Sequence, residues 1–402
     1  MSTMVREIAI TLYLSMVKMI FILCRIFPQK NKTVFMVSFG DNTRFVYEQL
    51  KKRTPEQEAV FLCKGRAFDM FQADYGSETV VPFESRSLKA LFQSVYHLAT
   101  ARHVIVDNYY GILAAAALKP GTEVIQLWHA AGAIKKFGLH DESIKTRSRR
   151  AHMRFLDVYK KFDRVVVGSD AMARIFTEAF GLPQENFLRT GIPRTDFFFD
   201  ESLKDGITAD FKAEFPELQG KKTILYAPTY RDNELDEFKL MLDIDLMKRE
   251  LGGEYVLLLK LHPAVQKTVD YENEYPGFVY DFTSSGNHIN ELLLVTDILI
   301  SDYSSIPYEF SLLQKPMLFF AYDLEEYTRD RGLWEEYESM VPGPVVSNTE
   351  ELAGVIKRAQ FDLEAVRSFA RKWNKYSTGK SSSKLIDYLE KGPAAERQRG
   401  VM

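Results

Sequence analysis

The sequence predicts an α/β protein of two Rossmann-like, doubly wound parallel-sheet domains that face each other across a cleft, preceded by a membrane-associated helix. Three observations carry this reading. Short apolar runs of strand length alternate with amphipathic stretches of helix length, the pattern of parallel sheets with crossover helices. At 402 residues the chain is longer than one hydrophobic core usually supports. The alternation breaks once, from Gly191 to Gly220, where Pro193, Gly206, Pro216 and many charges mark a hinge and linker. The expected divisions are 1–28 for the N-terminal helix, 29–200 and 201–390 for the two domains, and 391–402 for a frayed tail.

Taken in order, Ile8 to Phe27 is mostly apolar but contains Lys18 and Arg25. A spanning helix needs about 20 nearly uninterrupted apolar residues, and a central Lys costs roughly 2.5–3.5 kcal/mol on insertion. No small-residue cleavage site follows at Cys24-Arg25-Ile26-Phe27-Pro28. A helix lying on a bilayer surface, with Lys18 and Arg25 reaching toward headgroups, fits better. The alternative is a helix packed in a soluble core. Strands are then expected at Thr33–Phe39, Ala59–Cys63, His103–Asp107, Glu123–Trp128 and Arg164–Gly168. Helices are expected at Thr43–Lys52, Leu88–Ala99, ending at Val158–Phe162, and at Ala171–Phe180, stopped by Gly181. Beyond the linker, strands are expected at Thr223–Ala227, Tyr255–Leu261, Phe278–Asp281, Ile298–Ser301 and Pro316–Phe320. Helical patterns there cover Glu237–Leu251, Ile289–Val295 and Ser305–Leu313.

Composition narrows the function. Hydrophobic residues are 46% and charged residues 27%, which is globular rather than disordered. A net charge of −3 argues against a surface that binds polyanions throughout. Two cysteines, Cys24 and Cys63, cannot make a disulfide scaffold or a thiolate zinc site and fit a reducing compartment.

In open α/β sheets ligands bind beyond the carboxyl ends of strands, and four such strand ends carry polar chemistry. His129, in Trp128-His129-Ala130-Ala131-Gly132-Ala133, has small neighbours that let a ligand approach the backbone and a side chain suited to proton transfer. It could equally hydrogen-bond a neighbouring loop. His262, in Lys260-Leu261-His262-Pro263, could donate to a phosphate oxygen. Lys260 lies on the same sheet face and could add charge or pair with a carboxylate. In Ser301-Asp302-Tyr303-Ser304-Ser305 the hydroxyls stand beside the unpaired amides of a helix start, an anion site or an ordinary cap. Asp302 there would repel phosphates unless it binds a metal or orients a histidine. Thr229 and Arg231, in Tyr226-Ala227-Pro228-Thr229-Tyr230-Arg231, supply a hydroxyl and a planar cation suited to phosphate, or a surface ion pair. Between Lys135 and Arg164 ten basic residues face four acidic ones. Lys135, Lys136, Arg147, Arg149 and Arg150 are the candidates there for lipid headgroups or a lipid pyrophosphate. Such runs are also commonly solvated helix faces, and no nucleic-acid signature accompanies this one.

Taken together and in order, Gln126-Leu127-Trp128-His129, Gly191-Ile192-Pro193-Arg194-Thr195-Asp196, Tyr226-Ala227-Pro228-Thr229-Tyr230-Arg231, Leu261-His262-Pro263 and Ser301-Asp302-Tyr303-Ser304-Ser305 resemble the CDP-glycerol glycerophosphotransferase family of teichoic acid synthesis. The resemblance covers roughly residues 30–390. It implies a GT-B fold with the nucleotide held mainly by the C-terminal domain. It also implies direct transfer of glycerol phosphate from CDP-glycerol with release of CMP. His129 and His262 would be catalytic, and Thr229, Arg231, Ser301, Asp302, Ser304 and Ser305 would bind the donor. No obligatory cofactor or protein-bound metal is implied, although Mg2+ could ride on the diphosphate.

Polymerising members typically follow the histidine with Gly-Thr-Pro, whereas this chain has Ala130-Ala131-Gly132-Ala133. That version, the short length and the absence of an added N-terminal domain resemble the priming branch. Its acceptor would be N-acetylmannosaminyl-N-acetylglucosaminyl-diphospho-undecaprenol, met as a peripheral protein at the cytoplasmic face of the bacterial membrane, within a teichoic acid synthesis complex. The alternatives are a poly(glycerol phosphate) or ribitol phosphate transferase, a nucleotide-sugar GT-B glycosyltransferase, and a non-catalytic lipid-carrier binding module.

Overall fold

A computed structural model describes residues 3–231, 240–262, 265, 269–284 and 288–391. Among the described residues thirteen strands form two parallel sheets. The first contains β1 (Lys32–Val37), β2 (Glu58–Cys63), β3 (Val80–Pro82), β4 (His103–Val106), β5 (Glu123–Gln126), β6 (Arg164–Val166) and β7 (Phe187–Leu188). Its order is β3-β2-β1-β4-β5-β6-β7. The second contains β8 (Lys222–Tyr226), β9 (Tyr255–Leu259), β10 (Val279–Asp281), β11 (Ile298–Ser301), β12 (Met317–Phe320) and β13 (Val345–Val346). Its order is β10-β9-β8-β11-β12-β13. Both sheets reverse strand order beside their first strand, the switch point where doubly wound sheets take ligands.

The strands read as unbroken apolar runs because helices cover both sheet faces. All six residues of β1 are buried, and its register pairs Phe35 with Phe61 on one side and Ile105 on the other. In the second sheet Ile224, Leu257, Leu259, Ile300 and Leu318 pack with Met247, Leu251, Leu352 and Ile356 from the covering helices. Each such side chain, fully buried, stabilises the fold by roughly 1.5–3 kcal/mol.

Local signals set the helix ends. The Ser169 hydroxyl accepts the Met172 amide to start Asp170–Phe180, and Gly181, at φ +67°, ends it. Asp243 does the same for Ile244–Leu251. That cap explains why the expected helix from Glu237 begins late; residues 237–239 of that stretch lie outside the described residues. The expected linker is corrected outright. Residues 193–199 form a 3-10 turn and Glu201–Glu214 a 14-residue helix capped by Asp200, with Gly206 inside it and Pro216 just beyond its end. The glycine and proline read as a break are, respectively, a tolerated interior residue and a stop.

The chain divides into two compact units, 1–130 with 137–196 and 376–402, and 131–136 with 197–375. Two of the expected boundaries are therefore corrected. The stretch 131–136 belongs with the second unit. The helix Ser381–Lys391 belongs with the first, where Asp196 accepts the Ser381 and Ser382 amides and Arg53 pairs with Asp387 and Glu390. The tail expected after Lys391 lies outside the described residues.

The N-terminal helix Thr3–Cys24 lies along the first unit. Glu7, Ile10, Leu14, Val17, Phe21 and Cys24 recur every three or four residues and are buried or half-buried, whereas Met4, Ile8, Leu12, Met19, Ile22 and Leu23 are exposed. Met4–Cys24 is long and apolar enough to cross a membrane, yet one stripe of it packs on protein. Its docking is fixed by Glu7, whose carboxylate takes two bonds from Arg154 (2.6 and 2.9 Å) and one from the Ser148 hydroxyl (3.1 Å).

Candidate active site

In the first unit the sequence just past β5 makes a sharp turn. Trp128 adopts φ +58°, a left-handed conformation that a bulky residue enters only at a cost of about 1–2 kcal/mol. Its surroundings over-determine it. The Trp128 amide donates to Gln126 Oε1 (2.8 Å), its carbonyl accepts from Asn42 Nδ2 (2.9 Å), and its indole stacks on Phe137. The turn directs His129 to half-exposure, with its ring stacked on Phe39 (centroids 4.1 Å, 20°) and on Trp128 (4.3 Å, 28°).

His129 Nδ1 lies 3.1 Å from the Asp107 carbonyl oxygen. A carbonyl only accepts, so Nδ1 carries the proton and Nε2 is the basic nitrogen of the neutral ring. The His129 carbonyl accepts from Arg194 (2.9 Å), and the Arg194 amide donates to Asn42 Oδ1 (3.0 Å). Arg194 belongs to the Gly191–Asp196 motif, so this motif braces the histidine turn.

Asp107, immediately after β4, is almost fully buried. Its carboxylate accepts the Ser38, Phe39 and Gly40 amides (2.9–3.1 Å) and the Tyr110 hydroxyl (2.7 Å). Burial pushes this carboxyl above its usual range, opposed by those bonds. Gly40 is required here: it sits at φ +95°, and a Cβ would lie 2.6 Å from the Phe71 ring. The amides after the first strand of a doubly wound domain are where a phosphate usually sits. In this unit Asp107 already fills that cradle.

In the second unit Asp302 stands at the matching place, one residue past β11, and accepts the Thr229 amide from the loop after β8 (2.8 Å). Arg231, expected to meet phosphate, is held by two carboxylates of its own unit. It is 8% exposed, donates twice to Asp323 (2.7 and 3.0 Å) and once to Asp302 (3.1 Å), and lies over the Tyr303, Tyr322 and Tyr327 rings. Burial works against its charge, but the Asp323 bonds and the Asp302 charge outweigh it and hold the group protonated. Burial likewise pushes Asp302 up while Arg231 pulls it down. Asp302 therefore faces the Arg231 guanidinium.

The Ser301 hydroxyl is buried and donates to the Ala227 carbonyl (3.0 Å), a tie between β11 and β8. Ser304 and Ser305 are half-buried, and Ser305 precedes the short helix Ile306–Phe310 without a side-chain capping bond. His262 is exposed beyond β9, with its ring 4.4 Å from that of Tyr230. Lys260 donates to the Phe282 carbonyl (2.7 Å) and feels the negative charges of Asp281 and Glu291, as the carboxylate-pairing alternative expected.

Thr229, Arg231, Ser301 and Asp302 thus come together as a braced shelf beneath the Ser304–Ser305 turn. The basic candidates are divided between the two units. Lys135 and Lys136 belong to the second unit, where Lys135 donates to the Tyr327 hydroxyl (3.3 Å) and pairs with Leu333. Arg147, Arg149 and Arg150 are exposed on the first unit. Among the described residues no group of three or more His, Cys, Asp or Glu is placed to hold a metal ion. Phe39, Asn42, Asp107, Tyr303 and Asp323 are the participants that sequence reading missed. For Asp107 the position just past a strand end was the available signal.

The family model described as CDP-Glycerol:Poly(glycerophosphate) glycerophosphotransferase matches residues 18–391. The chain belongs to this family. It is accordingly an enzyme of the glycerophosphotransferase kind. It is 36% identical over 359 residues to the teichoic acid glycerol-phosphate primase of Bacillus spizizenii, covering 89% of this chain and 92% of that one. It is 35% identical over 373 residues to the teichoic acid poly(ribitol-phosphate) polymerase of the same organism, covering 91% of this chain and 57% of that one. The chain therefore spans little more than half the length of that polymerase. Among solved structures, the wall teichoic acid polymerase TagF superposes with a TM-score of 0.75 at 24% identity, covering 97% of this chain and 96% of that one, a likeness of fold.

Proposed function

We propose that the protein transfers glycerol phosphate from CDP-glycerol to N-acetylmannosaminyl-N-acetylglucosaminyl-diphospho-undecaprenol, priming teichoic acid synthesis with release of CMP. The observation that carries the reading is the His129 ring, whose Nδ1 proton is committed to a carbonyl and whose basic nitrogen is therefore Nε2. The acceptor hydroxyl attacks the phosphorus that bears glycerol. Nε2 accepts its proton, a new O–P bond forms, and the bond to the CMP oxygen breaks with the electron pair leaving on CMP. A base so placed contributes roughly 10²–10⁴-fold. His262, Ser304 and Ser305 meet the diphosphate, and Thr229, Arg231, Ser301 and Asp302 hold the shelf on which they stand.

Priming rather than polymerising is supported by Ala130-Ala131-Gly132-Ala133 after the histidine, where polymerising members typically carry Gly-Thr-Pro, and by the 36% identity to a glycerol-phosphate primase. A ribitol-phosphate transferase is the second reading, favoured by the near-equal identity to a ribitol enzyme. Incubation with CDP-glycerol and a synthetic disaccharide lipid, followed by mass analysis, separates these readings. One added glycerol phosphate supports the priming reading. A ladder indicates a polymerase, and transfer only from CDP-ribitol indicates the ribitol enzyme. Replacing His129 by Ala should remove CMP release while CDP-glycerol still binds; turnover at the wild-type rate would remove His129 from the mechanism.

A peripheral location at the cytoplasmic membrane face belongs to the same proposal. Its support is the outward apolar row of helix Thr3–Cys24, beside exposed Leu88 and Phe92 of the helix it packs on.

A further inference from the structure

The His129 ring is held from two directions, and both lead to one residue, Asp107. Its Nδ1 proton meets the carbonyl of Asp107. Its face meets Phe39, the middle one of three residues whose amides all point at the Asp107 carboxylate. Phe39 itself is 47% exposed, and its ring lies against the imidazole (centroids 4.1 Å). Asp107 is fixed in turn by the Tyr110 hydroxyl, which also bonds the Ser38 hydroxyl (2.8 Å). The buried carboxylate and the carbonyl of one residue therefore set the two contacts that orient the ring.

We propose that Asp107 is a positioning residue: through its carbonyl it selects the Nδ1–H tautomer of His129, and through the Ser38–Gly40 amides it sets the ring's facing. The proposal rests on the reading that His129 accepts the acceptor's proton. The carboxylate is suited to this task because it is acceptor-only and can meet three amides and a hydroxyl at once. A carboxamide of the same shape would turn an N–H toward donors and lose part of the cradle. With the cradle loosened, Phe39 leaves the imidazole and the ring is free to rotate, which exchanges the two nitrogens between carbonyl and substrate.

The test uses the full chain labelled with 15N-histidine, the His129 signals being identified by their loss in His129→Gln. Wild type should show the Nδ1–H tautomer as the dominant form. Asp107→Asn should bring the Nε2–H tautomer to a comparable population. It should also lower kcat by about 10²-fold, as for a misplaced reacting group, with KM for CDP-glycerol within about twofold, as expected when ground-state binding is untouched. Phe39→Leu, which leaves the buried carboxylate alone, should give the same tautomer mixing with a smaller loss in kcat.

A folded Asp107→Asn with the wild-type tautomer and kcat overturns the proposal. If that variant does not fold, Phe39→Leu decides alone, and an unchanged tautomer there overturns it. A purely structural role would lower the thermal midpoint and the active fraction without moving the tautomer, which also overturns it. Should the base reading itself be wrong, His129→Gln would turn over normally while Asp107→Asn still mixed the tautomers, so the two failures are distinguishable.

Discussion

At the residue scale, two buried cations behave in opposite ways. Arg231 lies between two carboxylates, so replacing it leaves both uncompensated. Arg231→Met should cost about 3–5 kcal/mol, the usual price of breaking a buried pair from one side, measured as a lowered midpoint in chemical denaturation. Lys32 is also fully enclosed, but its nearest partner is His97 Nδ1 (3.0 Å), with Glu58 only at 4.0 Å. Burial pulls Lys32 down to about 8 and His97 down to about 4, from ordinary values of 10.5 and 6.5. Both folded values lie below the unfolded ones, so the unfolded chain takes up protons first as pH falls. The Lys32 contribution therefore weakens stability as pH falls from 10.5 to 8, and that of His97 as it falls from 6.5 to 4. Lys32→Met, by removing an enclosed charge, should stabilise the protein by about 1–4 kcal/mol and abolish the gain between pH 8 and 10.5. A lowered thermal midpoint in that variant would count against this account. Residue roles were only partly legible in the sequence. His129, Ser304 and Arg231 announce themselves by type and by following a strand. That Arg231 is spent on Asp302 and Asp323, 71 and 92 residues onward, is visible only once the strands lie side by side.

At the scale of elements, the two-sided apolar strands could be read directly, because burial on both faces leaves little room for polar residues. The two-residue strands Phe187–Leu188 and Val345–Val346 are too short to show a period. The helix Leu363–Trp373 is written in its own spacing, with Val366, Phe369 and Trp373 buried at helical intervals. No local signal tells that the next helix, Ser381–Lys391, packs on the first unit. The N-terminal helix adds a prediction of its own. The Arg154 bonds, opposed by burial and helped by Ser148, bring Glu7 down to about 2 from an ordinary 4.5. A depressed carboxyl contributes stability that is complete above 4.5 and lost as pH falls toward 2. Hydrogen exchange in residues 4–24 should therefore rise selectively between pH 4.5 and 2. In Glu7→Gln the same exchange should already be raised at pH 7.

At the scale of the whole molecule, removing the first 28 residues should shift the protein from membrane to soluble fractions. Unchanged partitioning would place the membrane contact elsewhere, with Arg147, Arg149 and Arg150 the next residues to replace. The two-domain architecture was legible because the same alternation of strand and helix is written twice. The true boundaries were not, because Ala131–Lys136 and Tyr376–Lys391 each belong to the unit that their neighbours in sequence do not.

That threading has a consequence for how the protein is made. The first unit is missing a helix until the ribosome has translated through Lys391, since Ser381 and Ser382 must reach Asp196 and Asp387 must reach Arg53. Domains generally fold as units, the N-terminal one first during synthesis, but here the first to emerge is the last to be completed. A chain stalled at residue 375 should expose the surface of Asp41–Arg53 that the final helix covers and engage chaperones more than the finished one. Supplying residues 376–402 as a separate peptide should then restore protease resistance to the first unit.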